Sequence, residues 1–190
     1  MTRQTFEEHL VQDPGVAGTS FGTYTTAKTV IPATSLITLP ANYFDVGKVV
    51  RVRVRGGLST LVTTPGTITF QVMIASVVAW TSGAIQMNAT AHTDLPWTLD
   101  VDLICRAIGS GTSANLMGMG TLNGIMFTLT AAQVDGVNTS ATMQVPATTP
   151  AVGTGFDSTI ANILDFFVGF SISSASNAVT VDMYMVEALN

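Results

Sequence analysis

Charged residues are scarce in this chain of 190 residues. They make up 10% of the sequence, whereas a typical soluble domain has about 25%. Because charge keeps the surfaces of free monomers apart, this scarcity favours a protein that is partly covered by other subunits. The alternative is that the abundant Ser, Thr, Asn and Gly supply the polar surface. The net charge of −5, without a run of Lys or Arg, argues against nucleic acid or an anionic membrane as partner.

Cysteine and histidine are nearly absent. Cys105 is the single cysteine, which excludes an internal disulfide, and its place on an apolar strand face predicts a buried thiol. His92 and Asp94 have no third ligand nearby, so we expect a polar loop there and no bound metal or cofactor. No stretch reaches 18 apolar residues, so we expect no membrane span. The first residues lack the apolar segment of a signal peptide, so we do not expect one.

Apolar residues recur at every second position from Ile31 onward, which is the period of a half-buried β-strand. The alternation is clear at 49–55, 67–74, 97–105 and 178–189. Turn residues separate about eight to ten such segments, and no long segment has the helical period. The sequence therefore predicts an all-β fold: a single antiparallel β-sandwich of jelly-roll-like type over 29–190, with a long polar loop near 133–156.

Several details of this pattern are specific enough to be checked. Gly56 and Gly57 are expected to end the strand that starts at Val49. A further strand is possible over 124–130. The segments 163–173 and 178–189 are expected to form the last hairpin. Four alternate residues of its second strand are expected to share one face: Val179, Val181, Met183 and Met185.

Residues 1–28 differ from the rest in composition. Thr5 and Glu8 have the spacing of a capping box, which favours a short helix near 6–11. The following residues are rich in Gly, Ser and Thr, so we expect an extended N-terminal arm that contacts a neighbouring subunit instead of its own sandwich. The aromatic candidates for that interface are Phe6, Phe21 and Tyr24.

Three of the seven basic residues form a stripe on one strand face: Arg51, Arg53 and Arg55. Asp100 and Asp102 share one face of another strand, about 6.8 Å apart by strand rise. Three arrangements fit the stripe: a solvated outer face, a contact with an acidic surface of another subunit, or cross-strand pairs with these two acids.

Catalytic signatures are weak. Asp100 and Asp102 have a spacing that could serve as paired carboxylates in glycoside hydrolysis, but acids on an outer strand face are more often ion-paired or solvated. The glycines at 118, 120 and 124 do not have the spacing or the strand-turn-helix setting of a dinucleotide site. No G-x-S-x-G elbow accompanies His92. We therefore expect a protein without enzymatic activity.

Several short motifs resemble those of small structural proteins of tailed bacteriophages. They are Leu39-Pro40 with Val46-Gly47-Lys48, Arg51-Val52-Arg53, Thr63-Thr64-Pro65-Gly66-Thr67, Pro96-Trp97, Cys105–Gly109 with Gly111-Thr112, and the ending Val186–Asn190. The resemblance implies a β-sandwich of jelly-roll type, made in the host cytoplasm and located in the virion. It implies neither a cofactor nor catalysis.

Within a virion, the low charge and the arm fit a head decoration or cement protein, which commonly binds the major capsid protein as a trimer. A tail, collar or fibre subunit is the alternative. A third hypothesis is a jelly-roll module that binds carbohydrate through exposed aromatic side chains. The candidates for such contacts are Tyr24, Tyr43, Trp80 and Trp97, of which Trp97 heads an apolar face and is expected in the core.

Overall fold

The computed structural model of the chain describes residues 7–11, 20–61, 63–128 and 142–189. These residues form an all-β fold without an α-helix, in which two antiparallel sheets pack together, so the predicted β-sandwich is confirmed. The strands are β1 (Glu7–Val11), β2 (Phe21–Gly22), β3 (Lys28–Thr29), β4 (Ile37–Leu39), β5 (Val49–Thr60), β6 (Thr67–Ile74), β7 (Val77–Thr81), β8 (Ile85–Gln86), β9 (His92–Ala107), β10 (Asn115–Asn123), β11 (Thr142–Val145), β12 (Asn162–Phe170) and β13 (Ala178–Leu189). A 3-10 turn over Ala33–Ser35 precedes β4.

The strands divide into a larger and a smaller sheet. In sheet I the order is β1-β13-β5-β9-β10-β11, and β2 also pairs with β13. In sheet II the order is β3-β12-β6-β7, with β4 also on β12 and β8 also on β6. Strands that are neighbours in space are therefore often distant in sequence. Within the described residues, no helix is long and apolar enough to cross a membrane.

Alternation of side chains places the core between the two sheets. Val50, Val52 and Val54 of β5 are fully buried, whereas the arginines between them point to the outer face of sheet I. An aromatic cluster fills the centre of the core. Its rings belong to Phe70, Trp97, Phe127 and Phe166.

Gly56 does not end β5, contrary to the expectation. The strand continues to Thr60, and Gly56 pairs with Val181 of β13. A Cβ atom on Gly56 would lie 1.8 Å from the carbonyl oxygen of Thr180. The glycine therefore permits a close approach of the two strands and keeps the ladder continuous.

A β-bulge in β13 separates four residues that were predicted to share one face of that strand. The register shifts between Val181 and Met183, so Asp182 is an extra residue in the ladder. After the bulge, Tyr184 and Val186 are buried, and the side chain of Met183 is 44% exposed. Val179 and Val181 face the core, whereas Met183 and Met185 do not, so the prediction that the four share one face is wrong, because one inserted residue exchanges the two faces.

The last two strands do not form the predicted hairpin. β12 lies in sheet II and β13 in sheet I, so the connection 171–177 crosses from one sheet to the other. The amide of Asn177 holds this crossing, since its Nδ2 donates to the carbonyl oxygens of Pro65 and Ile172 and its Oδ1 accepts from the amide of Leu61. Residues 124–128 form a turn instead of the strand considered for that region.

The described part of the predicted arm packs on its own sandwich. Glu7–Val11 is a strand on β13, where a free sheet edge supplies backbone partners. The predicted helix over 6–11 is therefore wrong, since so short a helix has little stability alone. Tyr24 is buried, with its ring centroid 5.7 Å from that of Phe170. The expectation of an arm that contacts only a neighbour is thus corrected for residues 7–11 and 20–28.

The region predicted as a long polar loop is partly regular. Residues 129–141 lie outside the described residues, and Thr142–Val145 forms β11 on β10. Further along, a strap of residues 151–156 joins the two sheets. The amide of Gly153 donates to Leu116 of sheet I at 2.8 Å, and the amide of Thr154 donates to Val78 of sheet II at 2.9 Å. The strap therefore closes this side of the sandwich.

Candidate interaction surface

The outer face of sheet I carries the main cluster of charges. β5 lies between β9 and β13, and the register sets Arg51 opposite Asp102 and Arg53 opposite Asp100. Arg51 donates from Nε to Oδ1 of Asp102 at 2.6 Å and from Nη2 to Oδ2 at 2.9 Å. This bidentate contact has the fork geometry that a guanidinium offers a carboxylate.

Arg53 bridges two carboxylates on opposite sides of β5. Its Nε lies 3.8 Å from Oδ1 of Asp100, and its Nη1 lies 3.4 Å from Oε2 of Glu187. The Glu187 side chain is 3% exposed, so a carboxylate lies nearly buried beside this guanidinium. We call the five residues the ion-pair ladder: Arg51, Arg53, Asp100, Asp102 and Glu187. Of the three arrangements that fit the stripe, the structure shows cross-strand pairs for Arg51 and Arg53.

Arg55 differs from the other two arginines. Its register partners are Thr98 on β9 and Met183 on β13, neither of which is acidic. The residue is exposed, and within the described part of the chain it makes no ion pair. The cross-strand arrangement therefore does not account for the third arginine of the stripe.

The exposed end of the ladder is expected to contribute little to stability. The Arg51 and Asp102 side chains are 29% and 48% exposed, so Asp102→Asn should lower the free energy of unfolding by about 1 kcal/mol or less. Urea denaturation in low and high salt measures this loss, which should shrink as salt rises. Asp45→Asn, at an exposed acid in a loop, is the matched control. A loss above about 2 kcal/mol would contradict a solvent-screened pair.

An open depression lies beside the ladder. It has a volume of 490 Å³ and is bounded by four ladder residues together with Met119, Gly120, Thr121 and Gln144. Met119 is 52% exposed. Small-molecule sites usually enclose most of their ligand, whereas this surface is shallow and mixes charged, polar and apolar groups.

Asp100 and Asp102, the two carboxylates considered for catalysis, both belong to the ion-pair ladder. Asp102 is held by Arg51 and Asp100 lies beside Arg53, so each carboxylate faces a guanidinium. His92 and Asp94 lie in β9 and not in the expected polar loop, and the His92 ring nitrogen Nε2 lies 2.8 Å from Oδ1 of Asn88. The described residues contain no group of three or more side chains suited to hold a metal ion.

The titratable groups with shifted pKa values are dispersed over the fold. Burial raises the pKa of Cys105, whose thiol lies on the inward face of β9 as predicted. Burial also raises the pKa of Asp165, although the Thr29 hydroxyl donates to its carboxylate at 2.8 Å. A hydrogen bond from the Thr159 hydroxyl lowers the pKa of Asp157 in a surface loop. Each shift thus has a local structural cause, and these groups do not converge on one site.

The aromatic residues considered for carbohydrate binding are largely covered. Trp80 and Trp97 are buried and donate from Nε1 to the carbonyl oxygens of Gly118 and Gly57, each at 3.1 Å. Trp97 therefore belongs to the core, as predicted. Burial raises the pKa of Tyr24 to about 12. The Lys48 ammonium lies 3.6 Å from the centroid of the Tyr43 ring. The Trp80 ring lies against Gly118, where a Cβ atom would clash with it.

The three aromatic residues predicted to form an N-terminal interface differ in how far the structure covers them. Phe6 lies outside the described residues. Phe21 is half-buried in β2 and packs against the core. Tyr24 is buried, so its interpretation as an interface residue is corrected, because its ring packs against Phe170 of β12 and lies 5.3 Å from the Lys28 ammonium.

A second surface lies at one end of the sandwich. Three loops carry exposed apolar residues there, Val46 (65% exposed), Ile108 (46%) and Ile160 (54%). Backbone hydrogen bonds tie these loops together: Gly47 to Cys105, Asn42 to Ser158, and Ser158 to Gly109. We call Val46, Ile108 and Ile160 the loop end. The loop end cannot be recognised in the sequence, because single apolar residues in separate loops give no periodic signal.

No family model matches the chain, and no match to a curated protein or to a solved structure was found. Its function is therefore inferred from the fold, the loop end and the resemblance of its sequence motifs.

Proposed function

We propose that the chain is a structural subunit of a tailed-bacteriophage virion and acts as a head decoration or cement protein. The observation that carries the assembly part is the loop end, where Val46, Ile108 and Ile160 are 46–65% exposed on loops that are bonded to each other. Exposed apolar side chains that lie together mark protein contact sites more often than free surface. With 10% charged residues in the chain, few charges oppose such a contact.

The phage part of the proposal rests on the resemblance of the sequence motifs. The strand order supports its jelly-roll component. Between β5 and β13 the chain passes repeatedly from one sheet to the other, and β13 returns to lie beside β5. Such returns are what interleaved Greek keys require. β10 and β11 are additional strands that lengthen sheet I on the side of β9.

The proposed mechanism is stabilisation by mass action. A protein that binds the assembled shell, and not its separated subunits, shifts the equilibrium toward the shell. The partner is the major capsid protein, and the decorating unit is a homo-oligomer, for which a trimer matches the threefold sites of a head. The mechanism uses neither a cofactor nor a catalytic group.

Addition of the purified protein to phage heads that lack it is expected to increase their resistance to heat and dilution. Ile160→Ser should weaken binding by about tenfold or more, because burial of an aliphatic side chain stabilises a contact by roughly 1.5–3 kcal/mol. Binding to heads is measured by co-sedimentation, and shell stability by the release of packaged DNA on heating.

Ile125→Ser is the matched control, since Ile125 is 61% exposed beyond the opposite end of β10. Equal loss of binding in both variants would contradict a contact through the loop end. Localisation of the labelled protein to the tail or collar in particle images would replace the decoration role with that of a tail, collar or fibre subunit.

A further inference from the structure

One corner of the outer face of sheet I carries two exposed charges of opposite sign. Arg55 is the arginine of the stripe that has no acidic register partner. Asp182 is the extra residue of the β13 bulge and is also exposed. Among the described residues, neither side chain makes an ion pair. The ladder charges further along the same strands, in contrast, have partners in their own sheet.

An apolar side chain adjoins these two charges. Met183 follows Asp182 in the chain and is the register partner of Arg55. It is 44% exposed, because the bulge turns it to the outer face. Paired residues on neighbouring strands have Cα atoms about 4.5–5.5 Å apart, so the cation, the carboxylate and the thioether form one compact patch.

We propose that this patch is a twofold interface between two copies of the chain, in which Arg55 of each copy pairs with Asp182 of the other and the Met183 side chains pack between them. The inference rests on the proposed role as an assembling subunit and names a contact that joins two such units, since the contacts within a trimer are threefold and this one is twofold. A twofold axis between the charges brings each cation onto the partner's carboxylate, so a single patch supplies both halves of two identical pairs.

The mixture of charges favours a second copy over a foreign acidic protein. An acidic partner would meet Asp182, and also Asp94, whose carboxylate lies over Gly57 on the same face. Repulsion by these groups would offset its contact with Arg55. A second copy presents both signs in the matching order, and arginine can engage the partner's carboxylate with two parallel hydrogen bonds.

The test uses two single charge reversals and their mixture. Arg55→Asp and Asp182→Arg should each weaken self-association by about tenfold or more, because each homodimer then has two pairs of like charges. In the mixed dimer both pairs again join opposite charges: the two introduced side chains face each other at one pair, and the native Arg55 and Asp182 face each other at the second. The mixture should regain association within about threefold of the original chain, which corresponds to less than 1 kcal/mol. Sedimentation velocity at low ionic strength measures all four samples.

Arg106→Asp is the matched control, since Arg106 is exposed on the same sheet, about 27 Å along β9 from the patch. It should leave association unchanged. Thermal melting verifies that each variant is folded. If the original chain self-associates and the reversals have no effect, or if mixing restores nothing, the patch is not the interface, although assembly through the loop end still stands. A chain that is monomeric at every concentration yet binds phage heads also overturns the inference. Failure to bind heads would count against the proposed function instead.

Discussion

Replacement of Phe70 by alanine is expected to lower the free energy of unfolding by about 3–5 kcal/mol. Phe70 is fully buried on β6 of sheet II. Its ring centroid lies 5.0 Å from that of Trp97 in sheet I, 6.1 Å from Phe166 and 6.2 Å from Phe127. Truncation therefore removes contacts within one sheet and between both, and the β-strand backbones on either side limit how far the cavity can collapse.

Urea denaturation followed by tryptophan fluorescence measures this loss, since Trp97 reports on the same cluster. Phe167→Ala is the matched control: Phe167 is half-buried on the outer face of β12, so its truncation should cost clearly less. Phe70→Leu, which keeps most of the volume, should cost about 1–2 kcal/mol. A loss below about 2 kcal/mol for Phe70→Ala would indicate that the cluster rearranges around the cavity.

Replacement of Arg53 by methionine is expected to lower the free energy of unfolding by about 2–3 kcal/mol. The substitution keeps a similar apolar stem but removes the guanidinium that lies 3.4 Å from Oε2 of Glu187. Because the Glu187 side chain is 3% exposed, water cannot readily replace the lost partner. The penalty comes mainly from the buried carboxylate and only slightly from the exposed pair with Asp100.

A double-mutant cycle separates these contributions. Glu187→Gln in the Arg53→Met background should recover part of the loss, because a neutral amide is less costly to bury than a carboxylate that has lost this guanidinium. Arg106→Met controls for the removal of an exposed arginine from the same sheet and should change stability by less than about 0.5 kcal/mol. Additive losses in the double variant would show that Arg53 and Glu187 do not interact.

The sequence predicts the β-sandwich well because its alternation is a local property. The strands over 67–74 and 178–189 have the bounds that the pattern indicated. Alternation does not reveal which sheet a strand joins, so the pattern predicts a hairpin after Phe170, although the connection crosses between the sheets. It also fails at the bulge, where Asp182 exchanges inward and outward positions for the residues that follow.

The candidate surfaces could be predicted only in part. The arginine stripe is visible in the sequence, but Arg51 and Asp102 are 51 positions apart, and nothing local indicates that β5 and β9 are neighbours. Glu187 gave no signal, because its burial results from packing around β13 and not from its own segment. The loop end depends on three separate loops that meet only in the folded chain.

The strap over 151–156 bears on how the protein avoids aggregation through its sheet edges. An unpaired strand edge can form backbone hydrogen bonds with the edge of another molecule, which leads to aggregation. This risk rises when many copies lie close together, as the proposed decoration role requires. The amide of Thr154 in the strap occupies one acceptor of β7, the carbonyl oxygen of Val78, at the edge of sheet II. A Cβ on Gly153 would lie 1.8 Å from the carbonyl oxygen of Ala79. The absence of a side chain at Gly153 thus lets the strap lie directly on this edge, where it covers backbone that another molecule could otherwise pair with.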